Sequence, residues 1–155
     1  MIATDINDYR LEAAQQFGAD AAIRAEEDLP SRLRQVNQSR LADLVIVCTG
    51  ATSAIAQALQ SVERGGTVLF FAPTNPGVTT PISVSDLFWR NDITLTTSYA
   101  GSPADYAAAL ELIRARSVHI GKMITHRLGL AEAGLGFQLV ADAQNSIKVI
   151  IEPQR

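Results

Sequence analysis

At 155 residues and 16.6 kDa, with 47% hydrophobic and 19% charged residues, the chain has the make-up of one globular domain with a real core, not of a disordered segment. Thirteen basic residues against sixteen acidic ones leave a net charge of -3 and a pI near 5.3, which argues against broad electrostatic attraction to nucleic acid or to anionic membranes. A single cysteine, Cys48, excludes an internal disulfide and a cysteine-based zinc site, and without a signal-peptide pattern or a long apolar run the expected location is cytoplasmic.

Short apolar runs alternate with segments of helical period, the pattern of parallel strands joined by crossover helices. Ile2-Ala3-Thr4-Asp5 reads as a strand ending in an acid, followed by a helix over Asp8 to Phe17 that carries Leu11, Ala14 and Phe17 on one face and stops at Gly18. Ala21 to Ile23 reads as a short strand. Asp28 with Pro30 reads as a helix start whose Leu29, Leu33 and Val36 face the sheet.

Leu44 to Cys48 has no polar alternation, so it is expected to be buried on both faces. It ends in Thr49-Gly50 before a helix carrying Ile55, Leu59 and Val62. Gly65-Gly66 breaks that helix and starts a strand from Thr67 to Phe71. Turn chemistry makes Ala72 to Val78 a loop, followed by a short helical piece near Asp86 to Trp89 and a strand from Ile93 to Ser98. Ser102-Pro103 opens a helix with Tyr106, Leu110 and Ile113 on its apolar face. The tail reads strand, helix, strand over Met123 to Arg127, Ala131 to Ala141 and Ile147 to Ile151.

In an open parallel sheet, ligands sit beyond the carboxyl ends of the strands, which singles out Asp5, Cys48-Thr49-Gly50, Ala72-Pro73-Thr74-Asn75 and Ser98-Tyr99-Ala100. An acid at the first exit can accept hydrogen bonds from both hydroxyls of an adenosine ribose and repels a 2′-phosphate, which favours NAD over NADP. A plain turn or helix N-cap explains the same aspartate equally well. Arg10 either covers the adenine or is simply solvated, the usual fate of a lone arginine. Small residues in the Thr49-Gly50 and Pro73 to Asn75 turns are common in any loop; their recurrence at successive strand ends is what points to binding.

No constellation for bond-making chemistry assembles. His119 and His126 lack metal-ligand spacing with cysteine or glutamate and read as structural. Ser53, Ser61 and Ser98 lack a nucleophile-elbow context. Cys48, inside an apolar run, is expected to be a buried small hydrophobe, and Phe88 and Trp89 read as interface or core anchors, with core the more natural place.

The run Thr4-Asp5 to Arg10, continuing to Gly18-Ala19-Asp20, with Cys48-Thr49-Gly50, Gly65-Gly66-Thr67, Ser98-Tyr99 and Ile124-Thr125-His126-Arg127, resembles the zinc-type medium-chain dehydrogenases of the sorbitol and threonine dehydrogenase branch. The resemblance covers nearly the whole chain and rests on the order and spacing of these pieces together. It implies that Asp5 and Arg10 lie at the adenosine ribose. It places Cys48 to Gly50, Ala72 to Thr74 and Ser98 to Tyr99 along the nicotinamide and its ribose, and Lys148 at the pyrophosphate. For the parent enzyme it implies NAD-dependent oxidation of a secondary alcohol or polyol, with a zinc whose ligands match no residue of this chain.

The expected fold is therefore α/β, an incomplete doubly wound Rossmann-type parallel sheet lacking its first strand and Gly-x-Gly-x-x-Gly loop, with a strand-helix-strand tail. Residues 1–118 are expected to form a partial NAD-binding domain, and residues 119–155 a tail that in such enzymes packs back on the catalytic domain. In the strand order 3-2-1-4-5-6 the missing strand is central, so strands 2 and 4 either pair directly or keep exposed edges. Loss of the glycine loop removes amides and a helix N-terminus from the pyrophosphate, so the isolated chain is expected to bind NAD weakly or not at all and to be inactive by itself. Resemblance to such enzymes also implies a homo-oligomer through the Ile93 to Ser98 strand. The rival reading is a non-catalytic nucleotide-binding or interaction module of the same fold. A Rossmann-like methyltransferase would share the acidic exit without predicting the Thr-Gly turn and the tail together, and the NADPH-using quinone reductases are disfavoured by Asp5.

Overall fold

A computed structural model describes residues 1–25 and 28–155. In chain order they form β1 (Ile2–Asp5), α1 (Asp8–Gln16), β2 (Ala21–Arg24), α2 (Leu29–Val36), β3 (Ala42–Val47), α3 (Thr52–Ser61) and β4 (Val62–Phe70). A π-helical turn (Ser85–Trp89), β5 (Thr94–Thr97), α4 (Pro103–Arg114), α5 (Ile120–Met123) and β6 (Ile124–Gly129) follow, then a 3-10 turn (Leu130–Glu132), α6 (Ala133–Asp142) and β7 (Lys148–Glu152). This is an α/β fold of Rossmann type. The strands make three sheets, β1 with β2, β3-β4-β5 in that order, and β6 with β7; the β3–β4, β4–β5 and β6–β7 pairings are parallel. Two compact units result, residues 1–22 with 101–155, and residues 23–100.

In the unit of residues 23–100 the core lies on one face of the three-stranded sheet. Val47, Val62, Val68 and Ile93 pack with Ile55 and Ala58 of α3 and with Leu87 of the π-helical turn. Val68, on the central strand, is wholly buried. The opposite face departs from expectation: Leu44 is 55% and Ile46 51% exposed, and Cys48 and Phe71 are exposed as well. The pleat sends alternate side chains to opposite sides, and only the Val45 and Val47 side of β3 is packed into the core cluster. Burial on both faces is thus wrong for Leu44 to Cys48, and Cys48 is not a buried hydrophobe.

β4 begins directly after α3 at Val62, five residues before the expected Thr67. Ala42 pairs with Val62 and Leu44 with Thr67, so residues 63–66 bulge out of the ladder. Gly65 takes a φ of 73° there, and a Cβ on Gly66 would lie 2.7 Å from the Glu63 carbonyl oxygen. The Glu63 carboxylate accepts from the Leu41 N–H at 2.9 Å and from the Arg64 N–H at 3.1 Å. These two amides, Leu41 foremost, hold its carboxyl below the ordinary glutamate range. Toward β5, the Gly65 N–H donates to the Asn91 carbonyl at 2.7 Å and Arg64 Nη2 to the Arg90 carbonyl at 3.1 Å.

Helix starts follow the sequence closely. Asp28 caps α2, accepting from the Ser31 amide at 3.3 Å and hydroxyl at 2.7 Å, and Pro30 sits in the first turn. Ser102 and Asp105 make a capping box at α4. Inward faces follow less well. Leu29 and Leu33 are buried but Val36 is exposed, no residue of α4 is buried, and Tyr106 and Leu110 are exposed. Trp89, expected in the core, is 85% exposed. In the tail, α5 forms where the sequence pattern predicts no helix, and Gly136 of α6 packs against Ile151, Leu128 and Val149, where a Cβ would meet Ile151 Cδ1 at 3.1 Å.

Candidate functional site

The three carboxyl ends of the β3-β4-β5 sheet stand side by side because the strands are parallel and in register, Val47 opposite Phe70 and Phe70 opposite Thr97. The Val47 carbonyl accepts from the N–H groups of Phe71 at 3.0 Å and Ala72 at 3.1 Å, and the Ser98 N–H reaches the Phe70 carbonyl at 3.4 Å. The exits predicted at Cys48 to Gly50, Ala72 to Thr74 and Ser98 to Tyr99 are thereby brought to one end of one sheet. Gly50 fixes the first two together. A Cβ there would stand 2.5 Å from the Pro73 carbonyl oxygen and 3.3 Å from Thr74 Cα, so only glycine lets the two loops approach this closely. Thr49 steadies its own turn by accepting from the Ala51 N–H at 3.3 Å, while Cys48 is exposed and Tyr99 is 94% exposed. The result is a rim of small side chains and peptide groups beside the exposed rings of Phe71 and Tyr99.

Asp5, Arg10 and Lys148 belong to the other unit. Asp5, half-buried at the end of β1, accepts from the Asn7 N–H at 2.9 Å through one carboxylate oxygen, and its second oxygen has no protein donor among the described residues. The helix cap is not Asp5 but Asn7, whose side-chain oxygen accepts from the Arg10 N–H at 3.4 Å. Asp5 thus shapes a tight turn with one of its oxygens. Arg10 is half-buried in the first turn of α1.

Lys148 opens β7 with its side chain exposed. Its backbone is held through Thr125, whose hydroxyl accepts from the Ile147 N–H and donates to the Lys148 carbonyl, each at 3.2 Å. His126 Nδ1 lies 3.0 Å from that hydroxyl oxygen. Asn7 and Thr125 were not singled out as supports for the site. An Asn immediately before a helix is a recognisable cap signal, but nothing local tells where its amide hydrogens go.

A family model for the zinc-binding dehydrogenases matches residues 1–115. The chain belongs to the zinc-binding dehydrogenase family. It is 26% identical to D-xylulose reductase of Saccharomyces cerevisiae over 98% of this chain and 44% of that protein. With L-threonine 3-dehydrogenase of Bacillus subtilis the identity is 30% over 99% of this chain and 44% of that protein. The solved alcohol dehydrogenase of Thermus sp. ATN1 superposes with a TM-score of 0.83 at 28% identity, covering 96% of this chain and 42% of that one. The chain therefore spans less than half the length of the relatives it matches.

Membership of this family raises the question of zinc, which binds three or four Cys, His, Asp or Glu side chains. Among the described residues no group of three or more such side chains stands close enough to hold a metal ion, and the residues present do not fit one. No helix of the described residues is long and apolar enough to cross a membrane.

Proposed function

We propose that this chain is the cofactor-binding part of an NAD-dependent alcohol or polyol dehydrogenase, serving hydride transfer between a secondary alcohol and NAD in the complete enzyme. The observation that carries the reading is the half-buried Asp5 at the carboxyl end of β1, one oxygen held by the Asn7 amide and the other left for a donor. NAD, when bound, supplies the hydride acceptor. The chain's own residues bind and orient it. The open Asp5 oxygen accepts from the adenosine ribose hydroxyls, with Arg10 beside it. Lys148 offsets pyrophosphate charge. The exits Cys48 to Gly50, Ala72 to Thr74 and Ser98 to Tyr99 present backbone groups and small side chains to the nicotinamide and its ribose. A glycine that brings two loops together at a strand exit, as Gly50 does, supports the last of these assignments.

The same proposal gives residues 119–155 the task of packing on the catalytic domain, which would carry the zinc. It places the enzyme in the cytoplasm as a homo-oligomer that meets through residues 93–98, and gives it no nucleic-acid or membrane partner. β5 supports the oligomer reading, since it is an edge strand of its sheet. The test is cofactor choice in the complete enzyme, assayed by nicotinamide absorbance over a panel of secondary alcohols and polyols. NAD is expected to be reduced in preference to NADP, and Asp5→Ala to cut that preference about tenfold or more, about 1.4 kcal/mol. An unchanged cofactor preference in D5A would overturn the reading.

A further inference from the structure

Asn7 spends every hydrogen-bonding group it has. Its oxygen caps α1, and its two amide hydrogens cross a long stretch of chain to the carbonyls of Ala143 at 3.1 Å and Gln144 at 3.0 Å. Those carbonyls lie at the end of α6, where Ala143 adopts a left-handed φ of 52° and closes the helix. Carbonyls at a helix C-terminus lack intrahelical donors and carry the negative end of its dipole, so an amide NH2 is a fitting partner. Meanwhile the Asn7 backbone N–H holds Asp5. One residue thus grips the Asp5 carboxylate with its main chain and the α6–β7 loop with its side chain.

That loop leads within four residues to Lys148, and the connection is stiff. The buried Ser146 hydroxyl donates to the Leu139 carbonyl at 2.7 Å, and Thr125 pins both Ile147 and Lys148. We propose that Asn7 is a positioning residue that sets the distance between Asp5 and Lys148, and so fixes the ribose-binding acid and the pyrophosphate-binding lysine in one register for a dinucleotide. This rests on the NAD reading above. It adds that affinity depends on a side chain that touches no part of the cofactor.

Asn7→Ser separates the two duties of the residue. Serine caps helices as well as asparagine does, but it is too short to reach both carbonyls. In the complete enzyme, N7S is expected to raise the NADH dissociation constant about tenfold, with KM for NAD rising in parallel and kcat moving less. Two lost hydrogen bonds to an ordered loop account for about that much. Hydrogen exchange on the enzyme without cofactor is a separate readout: amides of residues 143–147 should exchange faster in N7S while those opening α1 stay protected. An enzyme that binds no NADH at all would count against the NAD reading and leave the exchange result to decide whether Asn7 holds the loop. Wild-type exchange at residues 143–147 in N7S, or an unchanged NADH dissociation constant in an enzyme that binds NADH, would overturn the proposal.

Discussion

Gly50→Ala adds one methyl group where the structure has no room for it. The new Cβ would lie 2.5 Å from the Pro73 carbonyl oxygen and 3.3 Å from Thr74 Cα, and both neighbours are backbone, so no side chain can rotate away. Bringing the first contact to 3.0 Å requires the Cys48 to Gly50 turn or the Pro73 to Thr74 loop to move by at least about 0.5 Å. Overpacking of this kind costs about 1–3 kcal/mol, which for a chain of this size lowers the melting temperature by about 2–10 °C. Gly134→Ala is the matching control, because a Cβ at Gly134 meets nothing within 4 Å and the residue lies in α6. There alanine is favoured over glycine by up to about 1 kcal/mol, and the variant should melt no lower than wild type. Scanning calorimetry of the three proteins decides the matter. If G50A melts with wild type, the two loops do not touch as described, and the argument that Gly50 joins two exits falls with them.

Removal of the Val68 side chain tests the single-faced core. Val68→Ala deletes two wholly buried methyl groups from the central strand and should cost about 2 kcal/mol, read as a lower urea midpoint at constant slope. Glu63 supplies a pH prediction. Its carboxyl is held below the ordinary value of 4.5 by the Leu41 and Arg64 amides, so the charged form stabilises the fold above the unfolded-state pKa, and that contribution is lost as pH falls through the folded one. Wild type should therefore exceed Glu63→Gln in stability at neutral pH, with the gap closing as pH drops below about 4.5, followed by urea unfolding at stepped pH. A gap that is constant across that range would mean the two amides do not favour the carboxylate.

What could be read from the sequence was mostly what neighbouring residues decide. Asp28 with Pro30 and Ser102 with Asp105 carry their capping partners within three positions, and both helices begin where these residues say. The β3-β4-β5 order agrees with the 4-5-6 half of the expected strand order, and three of the four exits stand at its carboxyl end, while Asp5 belongs to a separate sheet. Errors came where a distant partner decides. Leu44 and Ile46 read as apolar on any scale, yet whether their face is covered depends on elements far away in the chain, and here it is exposed. Trp89 and Val36 failed for the same reason. The start of β4 was misplaced because Gly65-Gly66 looks like a break between elements, when it is a bulge inside one. At the site, the exits were legible as turn chemistry, but the amide of Asn7 bonds to carbonyls more than a hundred residues away, and no local pattern announces that.

The bulge of residues 63–66 ties the amino-terminal ends of three strands through Leu41, Arg90 and Asn91. The opposite ends of the same strands carry the loops assigned to recognition. The sheet is therefore cross-braced at one end and free to vary at the other. Substitutions among the exposed loop residues, Tyr99 included, can accumulate without loosening the bracing, whereas changes at Glu63 or Gly66 strike the scaffold directly. On the proposed reading, a fold built this way can alter what it recognises while its folding stability is kept elsewhere.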